Sequence, residues 1–164
     1  MSVITSTDHA HLRETFRLAR ETATGGNRPF AALLADREGR VLARAMNTGA
    51  VDRDCTAHAE MNLIKRAYPM LGREAFAGAT IYASAEPCVM CAGAIYWSGA
   101  RRLVFGIGIE ALARIPTTGG AAMPQLRCEE VLTRLAPEMQ VFGRLLEAEA
   151  AELFAGDGVH LLRA

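Results

Sequence analysis

Two short segments place strong demands on the fold of this chain, because they carry metal-binding residue types far apart in sequence. The first is His58-Ala59-Glu60, and the second, Pro87-Cys88-Val89-Met90-Cys91, follows after the 26 residues 61–86. Imidazole and thiolate groups are typical zinc ligands, and three protein ligands leave a fourth position open to water. We therefore predict a fold in which His58, Cys88 and Cys91 bind one Zn²⁺ together.

The local structure expected around the second segment suits this role. Cys88 and Cys91 are three residues apart, so a helix places both sulfur atoms on one face. Pro87 is typical of a helix start, where the partial positive charge of the helix N-terminus stabilises thiolates. A carboxylate that lies beside the metal without binding it can accept a proton and deliver it elsewhere. Glu60 is the candidate for this catalytic role.

Two other interpretations of the cysteines were weighed. A C-x-x-C pair in an intracellular chain also occurs in redox sites and in structural zinc sites. A four-cysteine structural site would need Cys55 and Cys128, neither of which has a close cysteine neighbour. A redox pair would give no role to His58 and Glu60. The pattern as a whole favours a catalytic metal site.

Length and charge restrict the class of protein further. The 164 residues are typical of one domain, so we predict a single domain over 1–164. The 18 basic and 18 acidic residues balance, which gives no global attraction to a nucleic acid. The chain has no apolar run of membrane-spanning length and no secretory signal at its N-terminus, so we expect a soluble, cytoplasmic protein without a membrane partner.

Hydrophobic periodicity and turn residues predict an α/β fold. Strands are predicted at 29–35, 41–46, 80–84, 102–105 and 140–142. Helices are predicted at 8–24 (capped by Asp8), 56–67, 88–97, 129–135 and 145–154. The turn at 37–39 predicts an antiparallel hairpin, and the strand–helix–strand order of 80–105 predicts a parallel crossover. The expected architecture is a three-layer α/β/α sandwich with a mixed five-stranded sheet. The Pro- and Gly-rich stretch within 110–125 is a candidate specificity loop.

The order and spacing of the motifs match the zinc deaminase signature H-x-E…P-C-x-x-C. The chain therefore resembles the cytidine deaminase superfamily, from about Pro29 to Gly106. The resemblance implies a cytidine deaminase-like fold with one Zn²⁺ per chain. It also implies hydrolytic replacement of an exocyclic amine by oxygen with release of ammonia. A homodimer is expected on the same basis.

Within that superfamily, residues 85–97, AEPCVMCAGAIYW, are similar to the nucleobase deaminase branch, including bacterial guanine deaminases. The part EPCVMCAGA is shared with tRNA adenosine deaminases, whereas the continuation Ile95-Tyr96-Trp97 favours a free base or nucleoside. The first hypothesis is a small-molecule deaminase acting on an aminopurine such as guanine. A nucleoside, a pterin, an aminotriazine or cytosine stays open as substrate. The alternatives are a tRNA-specific adenosine deaminase and a non-catalytic, zinc-stabilised interaction module.

The resemblance also implies side chains that bind the substrate. Asn47 is expected to hydrogen-bond the ring, although an asparagine before Thr48-Gly49 also suits a turn. Phe30 is a candidate to pack on the face of the base, with a place in the core as the alternative. Trp97 resembles a pocket-lining tryptophan of guanine deaminases, with a place at the end of its helix as the alternative.

Backbone atoms and supporting residues complete the expected site. By the same resemblance, the amide of Ala59 meets the ring and the carbonyl of Ala85 accepts from the leaving amine. Glu86, before Pro87, is expected to orient the metal loop. Guanine deaminases also use an acidic residue after the fourth strand and groups of the C-terminal tail. Here Glu110 is the only acid of residues 110–120, and residues 156–161 contain no aromatic side chain.

Overall fold

The computed structural model describes residues 3–115 and 126–154, and its elements follow the predicted order. The strands are β1 (Ala31–Ala35), β2 (Val41–Met46), β3 (Thr80–Ala85), β4 (Arg102–Ile107) and β5 (Gln140–Phe142). The helices are α1 (Ser6–Thr24), α2 (Gly49–Asp52), α3 (Ala59–Gly78), α4 (Val89–Ser98), α5 (Ile109–Ala113), α6 (Cys128–Leu135) and α7 (Glu147–Ala151). The predicted mixed five-stranded sheet is confirmed, with the order β2-β1-β3-β4-β5.

The directions of the strands determine where loops can meet. Strand β1 is antiparallel to both β2 and β3, which confirms the predicted hairpin. Strands β3, β4 and β5 are parallel to one another. The carboxyl ends of β3 and β4 therefore lie at the same edge of the sheet, where the loop with Cys88 begins. Ligand sites of open α/β sheets commonly occupy this edge.

Both faces of the sheet are buried, which is why its central strands are mostly apolar. Successive side chains of β1 alternate between the faces, so Ala32 and Leu34 lie in one hydrophobic cluster while Leu33 lies in the other. The first cluster contains residues of α3, α4 and α6, and the second contains residues of α1 and α7. Helices thus cover both faces, as predicted for an α/β/α sandwich.

The first helix begins earlier than predicted, and the assignment of Asp8 as its cap is wrong. Thr5 is the N-cap, and its hydroxyl accepts a hydrogen bond from the Asp8 amide at 3.2 Å. The Asp8 carboxylate in turn accepts from the Thr5 amide at 2.7 Å. This reciprocal capping box puts Asp8 in the first turn of the helix, where its negative charge is also favourable.

Helix α3 begins later and ends later than the predicted range of 56–67. It contains Pro69 and continues through a kink at Gly72, where φ is +73°, to Gly78. A proline inside a helix removes a hydrogen bond and costs about 3 kcal/mol. The part of the helix beyond Pro69 carries Phe76, which is fully buried in the first cluster. Burial of this ring favours the continued helix over the loop that the proline and glycines predicted.

Smaller differences concern loops and the last helix. The loop predicted at 47–54 contains the single turn α2. Helix α7 spans only five residues, because Leu146 at its N-cap has a φ of +57° outside the helical range. The predicted specificity loop and the tail at 156–161 fall largely or wholly outside the described residues. Across the two described ranges, no helix has both the length and the apolar character needed to cross a bilayer.

Candidate functional site

The two segments with metal-binding residues meet at the start of two helices. His58 is the N-cap of α3, and Cys88 is the N-cap of α4. Both residues have extended backbones, so each connects an irregular segment to a helix. Cys91 occupies the first turn of α4 on the same side as Cys88. Four N-terminal N–H groups of a helix lack intrahelical partners, so both helix ends present positive potential to this region.

The distances between the three ligand atoms fit a tetrahedral zinc ion. Nδ1 of His58 lies 3.6 Å from Sγ of Cys88 and 3.6 Å from Sγ of Cys91, and the two sulfur atoms are 3.7 Å apart. With Zn–S near 2.3 Å and Zn–N near 2.0–2.1 Å, tetrahedral angles give about 3.6 Å for nitrogen to sulfur and about 3.8 Å for sulfur to sulfur. In the described parts of the chain, these residues form the one group that could hold a metal ion.

The protonation of the cluster suits metal binding. A hydrogen bond from Cys91 is the largest influence that lowers the pKa of the Cys88 thiol, to about 4, against the opposing effect of burial. Contact with Cys88 raises the pKa of His58, again against burial. The hydrogen bond with Cys88, together with burial, raises the pKa of the Cys91 thiol. Zinc binds thiolate and neutral imidazole, so metal binding is expected to displace protons from Cys91 and His58 rather than from Cys88.

Glu60 lies in the first turn of α3, two residues after the histidine ligand. It is 8% exposed and does not belong to the metal-binding group. Burial raises the pKa of its carboxyl group, which also interacts with the Cys91 thiol. A carboxyl with a raised pKa holds and releases a proton near neutral pH more readily than an exposed one. The arrangement therefore places a proton-carrying group beside the metal site.

The carboxylate of Glu86 connects the metal loop to two other elements. One oxygen accepts from the amide of Ile109 at 2.9 Å, and the other from the amide of Cys128 at 2.8 Å. Ile109 and Cys128 are the first residues of α5 and α6. Glu86 thus caps both helices, and Pro87, which is also buried, leads directly from it to Cys88.

A cavity of about 570 Å³ opens beside the histidine ligand. Its lining consists of Arg28, Asn47, Gly49, Ala50, Arg53, Asp54, Cys55 and His58. A second cavity, of about 520 Å³, is lined by residues that include Asp8 and Arg102 and by none of the metal ligands. Residues of the second cavity come from the amino ends of β3 and β4, opposite the metal loop. The first cavity, which we call the His58 cavity, is therefore the candidate for the substrate site.

Asn47 lines the His58 cavity, as a substrate-binding residue would. It also forms a turn with the following residues, which was the alternative role predicted for it. Its side-chain oxygen accepts from the Gly49 amide at 3.0 Å, and its own amide donates to the carbonyl of Phe30 at 2.9 Å. The loop is further held by Asn62, whose side-chain amide donates to the carbonyl of Met46 at 2.9 Å and to Thr48 Oγ1 at 3.0 Å. Sequence reasoning missed Asn62, although an asparagine within the buried stripe of a helix is a usable signal.

Of the other expected substrate-binding residues, Ala59 and Ala85 lie beside the metal ligands in sequence, whereas Phe30 lies in the core. Ala59 is the first residue of α3, and Ala85 is the last of β3, so both are direct neighbours of the metal-binding segments. The Phe30 ring packs against Phe154 with centroids 5.5 Å apart and contacts both hydrophobic clusters. Its side chain is therefore in the core, and it is not among the residues lining the cavity.

The structure does not bring Trp97 to the cavity. It lies near the end of α4, its side chain is 73% exposed, and its ring packs edge-to-face on Tyr96 at 5.3 Å.

Cys55 and Cys128 stay outside the metal group, as predicted. Glu110 lies in α5 and forms an exposed ion pair with Arg144 at 3.1 Å.

Comparison with known proteins agrees with this geometry. Residues 5–107 match the family described as the cytidine and deoxycytidylate deaminase zinc-binding region. A probable cytosine deaminase of Schizosaccharomyces pombe is 33% identical over 147 residues, 87% of each chain. A tRNA-specific adenosine deaminase of Agrobacterium fabrum is 38% identical over 137 residues, 81% of this chain and 84% of that one.

Solved structures show the same fold and link it to purine ligands. A guanine deaminase from Nitrosomonas europaea superimposes with a TM-score of 0.74 at 25% identity, covering 94% of this chain and 85% of that one. A protein solved in complex with 2,6-diaminopurine gives a TM-score of 0.76 at 28% identity, covering 93% of this chain and 82% of that one. Family, fold and ligand geometry agree: the chain belongs to the cytidine and deoxycytidylate deaminase family and is a zinc-dependent hydrolytic deaminase.

Proposed function

We propose that this deaminase acts on a small heterocyclic amine of the nucleobase class, with an aminopurine such as guanine as the first choice. The observation that carries the proposal is the position of Glu60, buried next to a three-ligand zinc site but outside it. A site that only stabilised the fold would not need a buried carboxyl group there. The reaction consumes one water, replaces the C–NH₂ bond by C=O and releases ammonia.

His58, Cys88 and Cys91 would hold the zinc, which makes a coordinated water a stronger acid by lowering its pKa from about 16 to about 7. The Glu60 carboxylate accepts the first proton of the attacking water and delivers it to the ring nitrogen. It then accepts the second proton, from the hydroxyl group newly bonded to the ring carbon, and delivers it to the leaving amine, so that ammonia departs and Glu60 ends the cycle as a carboxylate. The raised pKa of its carboxyl group suits both transfers.

Asn47 and two backbone groups are proposed to orient the ring. Because Oδ1 of Asn47 accepts from Gly49, we expect its Nδ2 to donate to the substrate. The N–H of Ala59 has no intrahelical partner at the first position of α3, so it is suited to donate to the ring. The carbonyl of Ala85, at the end of β3, is suited to accept from the leaving amine. A role for Phe30 as a stacking surface stays a prediction.

The choice of an aminopurine rests on two similarities. The continuation Ile95-Tyr96-Trp97 after the metal loop resembles guanine deaminases, and the two structural neighbours named above are a guanine deaminase and a protein bound to 2,6-diaminopurine. The similarity to a probable cytosine deaminase keeps cytosine among the substrates to be tested.

Adenosine in tRNA is the second candidate substrate. It is favoured by the 38% identity to the Agrobacterium enzyme over most of both chains. Recognition of an anticodon loop requires phosphate contacts from a basic surface and a pocket for an extruded base. The net charge of zero gives less support to such a partner than to a small molecule. Failure to bind an anticodon stem-loop at low salt would eliminate this candidate.

The test is ammonia release by the zinc-loaded protein with free bases, nucleosides, pterins and aminotriazines. The Glu60→Gln variant is measured beside it, with Glu74→Gln as the control. Glu74 is an exposed glutamate on the same helix, so its substitution makes the same chemical change away from the site. We expect Glu60→Gln to keep one zinc per chain and the fold, and to lose activity by about 10²–10⁴-fold.

Two results would overturn parts of the proposal. Full activity of Glu60→Gln would refute the assigned proton carrier. Absence of turnover on every small molecule, together with turnover of the stem-loop, would replace the small-molecule substrate by tRNA.

We also propose that the protein is a homodimer and that α4 contributes to the interface. The large apolar side chains Val89 and Trp97 lie eight residues apart on one face of this helix and are 41% and 73% exposed, and Met70 on α3 is 84% exposed. Large exposed apolar side chains on one face of a helix are typical of protein–protein contacts.

Light scattering at micromolar concentration tests the dimer, with the variant Trp97→Glu as the comparison. We expect a dimer for the unmodified chain and a monomer for the variant. A monomer in both cases would contradict the proposal. If Trp97→Ala stays dimeric and raises KM, the tryptophan reaches the substrate as the family resemblance implied.

A further inference from the structure

Asn62 joins the loop that carries Asn47 to the helix that begins at the metal. It lies on α3 one turn after His58, and its backbone N–H donates to the His58 carbonyl at 2.9 Å. Its side-chain amide donates to the carbonyl of Met46 at 2.9 Å and to Oγ1 of Thr48 at 3.0 Å. Met46 and Thr48 are the two chain neighbours of Asn47, so the backbone of Asn47 is held on both sides.

The same side chain also contacts the segment that leads into the metal site. The carbonyl of Ala57, directly before His58, accepts from Nδ2 of Asn62 at 3.3 Å and from the amide of Thr48 at 3.0 Å. Because two of its three partners are carbonyl oxygens, the group that Asn62 turns toward them is its NH₂. One buried donor group therefore connects the loop before α2 with the loop before α3.

The hydroxyl of Thr48 serves this contact and not its own helix. Threonine is a favoured N-cap, because its hydroxyl can accept from the first amides of a helix. Thr48 is the N-cap of α2, yet its side chain forms no capping hydrogen bond and accepts from Asn62 instead. A hydrogen bond to a distant helix replaces the local one, which fixes the loop relative to α3.

The position of this loop relative to α3 determines how a ring is presented to the metal. Asn47 is proposed to bind the ring, and the Gly49 amide orients its side chain by donating to Oδ1 at 3.0 Å. The metal ligand His58 and the proton carrier Glu60 lie at the start of α3. Reacting atoms must be held about 3–3.5 Å apart, and a misplacement of about 1 Å can cost roughly 10²-fold in rate.

We propose that Asn62 is a positioning residue, which orients the substrate ring by holding Asn47 in place relative to His58 and Glu60. The proposal rests on the function proposed above and adds to it a residue outside the metal group and outside the lining of the His58 cavity. It applies to any heterocycle that Asn47 binds, because Asn62 acts on the loop and not on the substrate.

A double-mutant cycle tests whether Asn62 acts through Asn47. Steady-state kinetics are measured for Asn47→Ala, Asn62→Ala and the double variant. The substrate is whichever of the small molecules and the anticodon stem-loop named above releases ammonia fastest. Each single substitution is expected to raise KM about tenfold, as loss of one hydrogen bond to the ring allows, with a smaller effect on kcat. The double variant should have the KM of Asn47→Ala alone, because the two residues act as one unit.

The outcomes separate this role from the proposed function. Effects on KM that multiply in the double variant, or an unchanged KM in Asn62→Ala alone, would overturn only the role of Asn62. Weaker zinc binding by Asn62→Ala in chelator competition would also overturn it, because the residue would then support the metal. An unchanged KM in Asn47→Ala would refute the proposed ring contact and, with it, the reason to position that residue. Absence of ammonia release from every substrate would refute both proposals.

Further variants separate positioning from a loss of folding, which thermal melting monitors. Asn62→Asp keeps the shape but turns an oxygen toward two carbonyls, so it should raise KM at least as much as Asn62→Ala. Asn27→Asp is its control, because the Asn27 oxygen accepts from the Val51 amide at 3.1 Å and aspartate keeps this bond. Thr48→Val removes one acceptor without changing α3, so a smaller rise in KM is expected. An equal rise in KM for Asn27→Asp and Asn62→Asp, or none for Thr48→Val, would contradict the positioning role.

Discussion

Glu86 has no atom in the metal cluster, yet it determines what the metal loop is attached to. Its carboxylate accepts from the first amides of α5 and α6, and its own amide donates to the carbonyl of Ile107 at 2.8 Å. The residue two positions before Cys88 is thereby fixed to three points on the rest of the fold. Because residues that hold metal-ligating loops affect the metal itself, Glu86 is expected to act as a positioning residue.

The variant Glu86→Gln tests that role. Each oxygen of Glu86 accepts from a backbone N–H, one at the start of α5 and one at the start of α6. Glutamine has an NH₂ group, a donor, in place of one of these oxygens, so one of the two hydrogen bonds to the helix starts is lost. We expect zinc affinity to fall about 10–100-fold, measured by chelator competition. Glu110→Gln is the control, because Glu110 lies in α5 but forms only an exposed ion pair. If both variants bind zinc as tightly as the unmodified chain, Glu86 does not position the metal loop.

Among the secondary-structure elements, α1 and β4 pack unusually closely at Gly106. A Cβ atom built there would lie 2.5 Å from the carbonyl oxygen of Ser84 and 2.7 Å from the ring of Phe16. Phe16 belongs to the second hydrophobic cluster and is almost completely buried. The glycine therefore lets the helix approach the sheet, just before the loop that Glu86 holds.

Gly106→Ala is expected to destabilise the protein. The added methyl group meets backbone as well as a buried ring, so the free energy of unfolding should fall by about 1–3 kcal/mol. Gly78→Ala is the matched control, because its nearest contact would be a flexible arginine side chain at 3.5 Å. Urea denaturation measures both. Equal stability of the two variants would show that α1 and β4 can separate without cost.

A buried ion pair also joins α1 to the sheet. The Asp8 carboxylate accepts from Arg102 at 2.7 and 3.1 Å and from the hydroxyl of Tyr82 at 2.7 Å. Burial opposes ionisation of Asp8, but the hydrogen bonds from Arg102, Tyr82 and Thr5 outweigh it and hold its pKa well below the usual range. The unfolded chain, with a carboxyl pKa near 3.9, therefore binds a proton at higher pH than the folded one.

The stabilisation from Asp8 should be complete above about pH 4 and decrease as the pH falls toward its folded pKa. Asp8→Asn is expected to cost about 3 kcal/mol at pH 7, because it leaves the buried Arg102 without its counter-charge. The difference from the unmodified chain should shrink between about pH 4 and pH 2. Urea denaturation across this range measures it, with Asp36→Asn at the exposed Arg40 pair as the control. A difference that does not change with pH would contradict the assigned pKa.

For the whole molecule, the zinc site and the hydrophobic core are separate sources of stability. Both hydrophobic clusters of the described residues pack on the single sheet. One domain over residues 1–164 stays a prediction. The metal ligands join only the starts of α3 and α4. The core therefore does not depend on the metal in the way that a zinc finger does.

Chelation of zinc should lower Tm while the secondary structure persists at 25 °C. A metal present at 100 times its Kd stabilises a fold by about 2.7 kcal/mol, which for a chain of this size corresponds to roughly 5–10 °C. Calorimetry and circular dichroism before and after chelation measure this, and one equivalent of zinc should restore Tm. Loss of the helical signal on chelation would mean that the fold requires the metal.

Individual elements show which parts of the structure could be predicted from the sequence and which could not. The central strands β1, β3 and β4 were found because buried strands are short apolar runs. Strand β5 is only partly buried, but it agrees with its prediction at both ends. Helix α3 was misjudged because Pro69 and Gly72 are breakers locally, whereas the burial of Phe76 is a property of the packed sheet. The contacts of Asn62 with Met46 and Thr48 join residues 16 and 14 positions apart, for which no local pattern exists.

The metal ligands, the family and the layered fold could be predicted from the sequence alone. Their signals are local: the spacing of Cys88 and Cys91, the short motif around Glu60, and apolar runs of strand length. Tertiary contacts alone set the 3.6–3.7 Å spacing of the ligand atoms, the two helices capped by Glu86 and the lining of the His58 cavity. These depend on how β1, β3 and β4 align and on which helix starts they bring together. Packing of the whole chain sets that alignment, because the energy of each contact is small and acts only between segments already brought close.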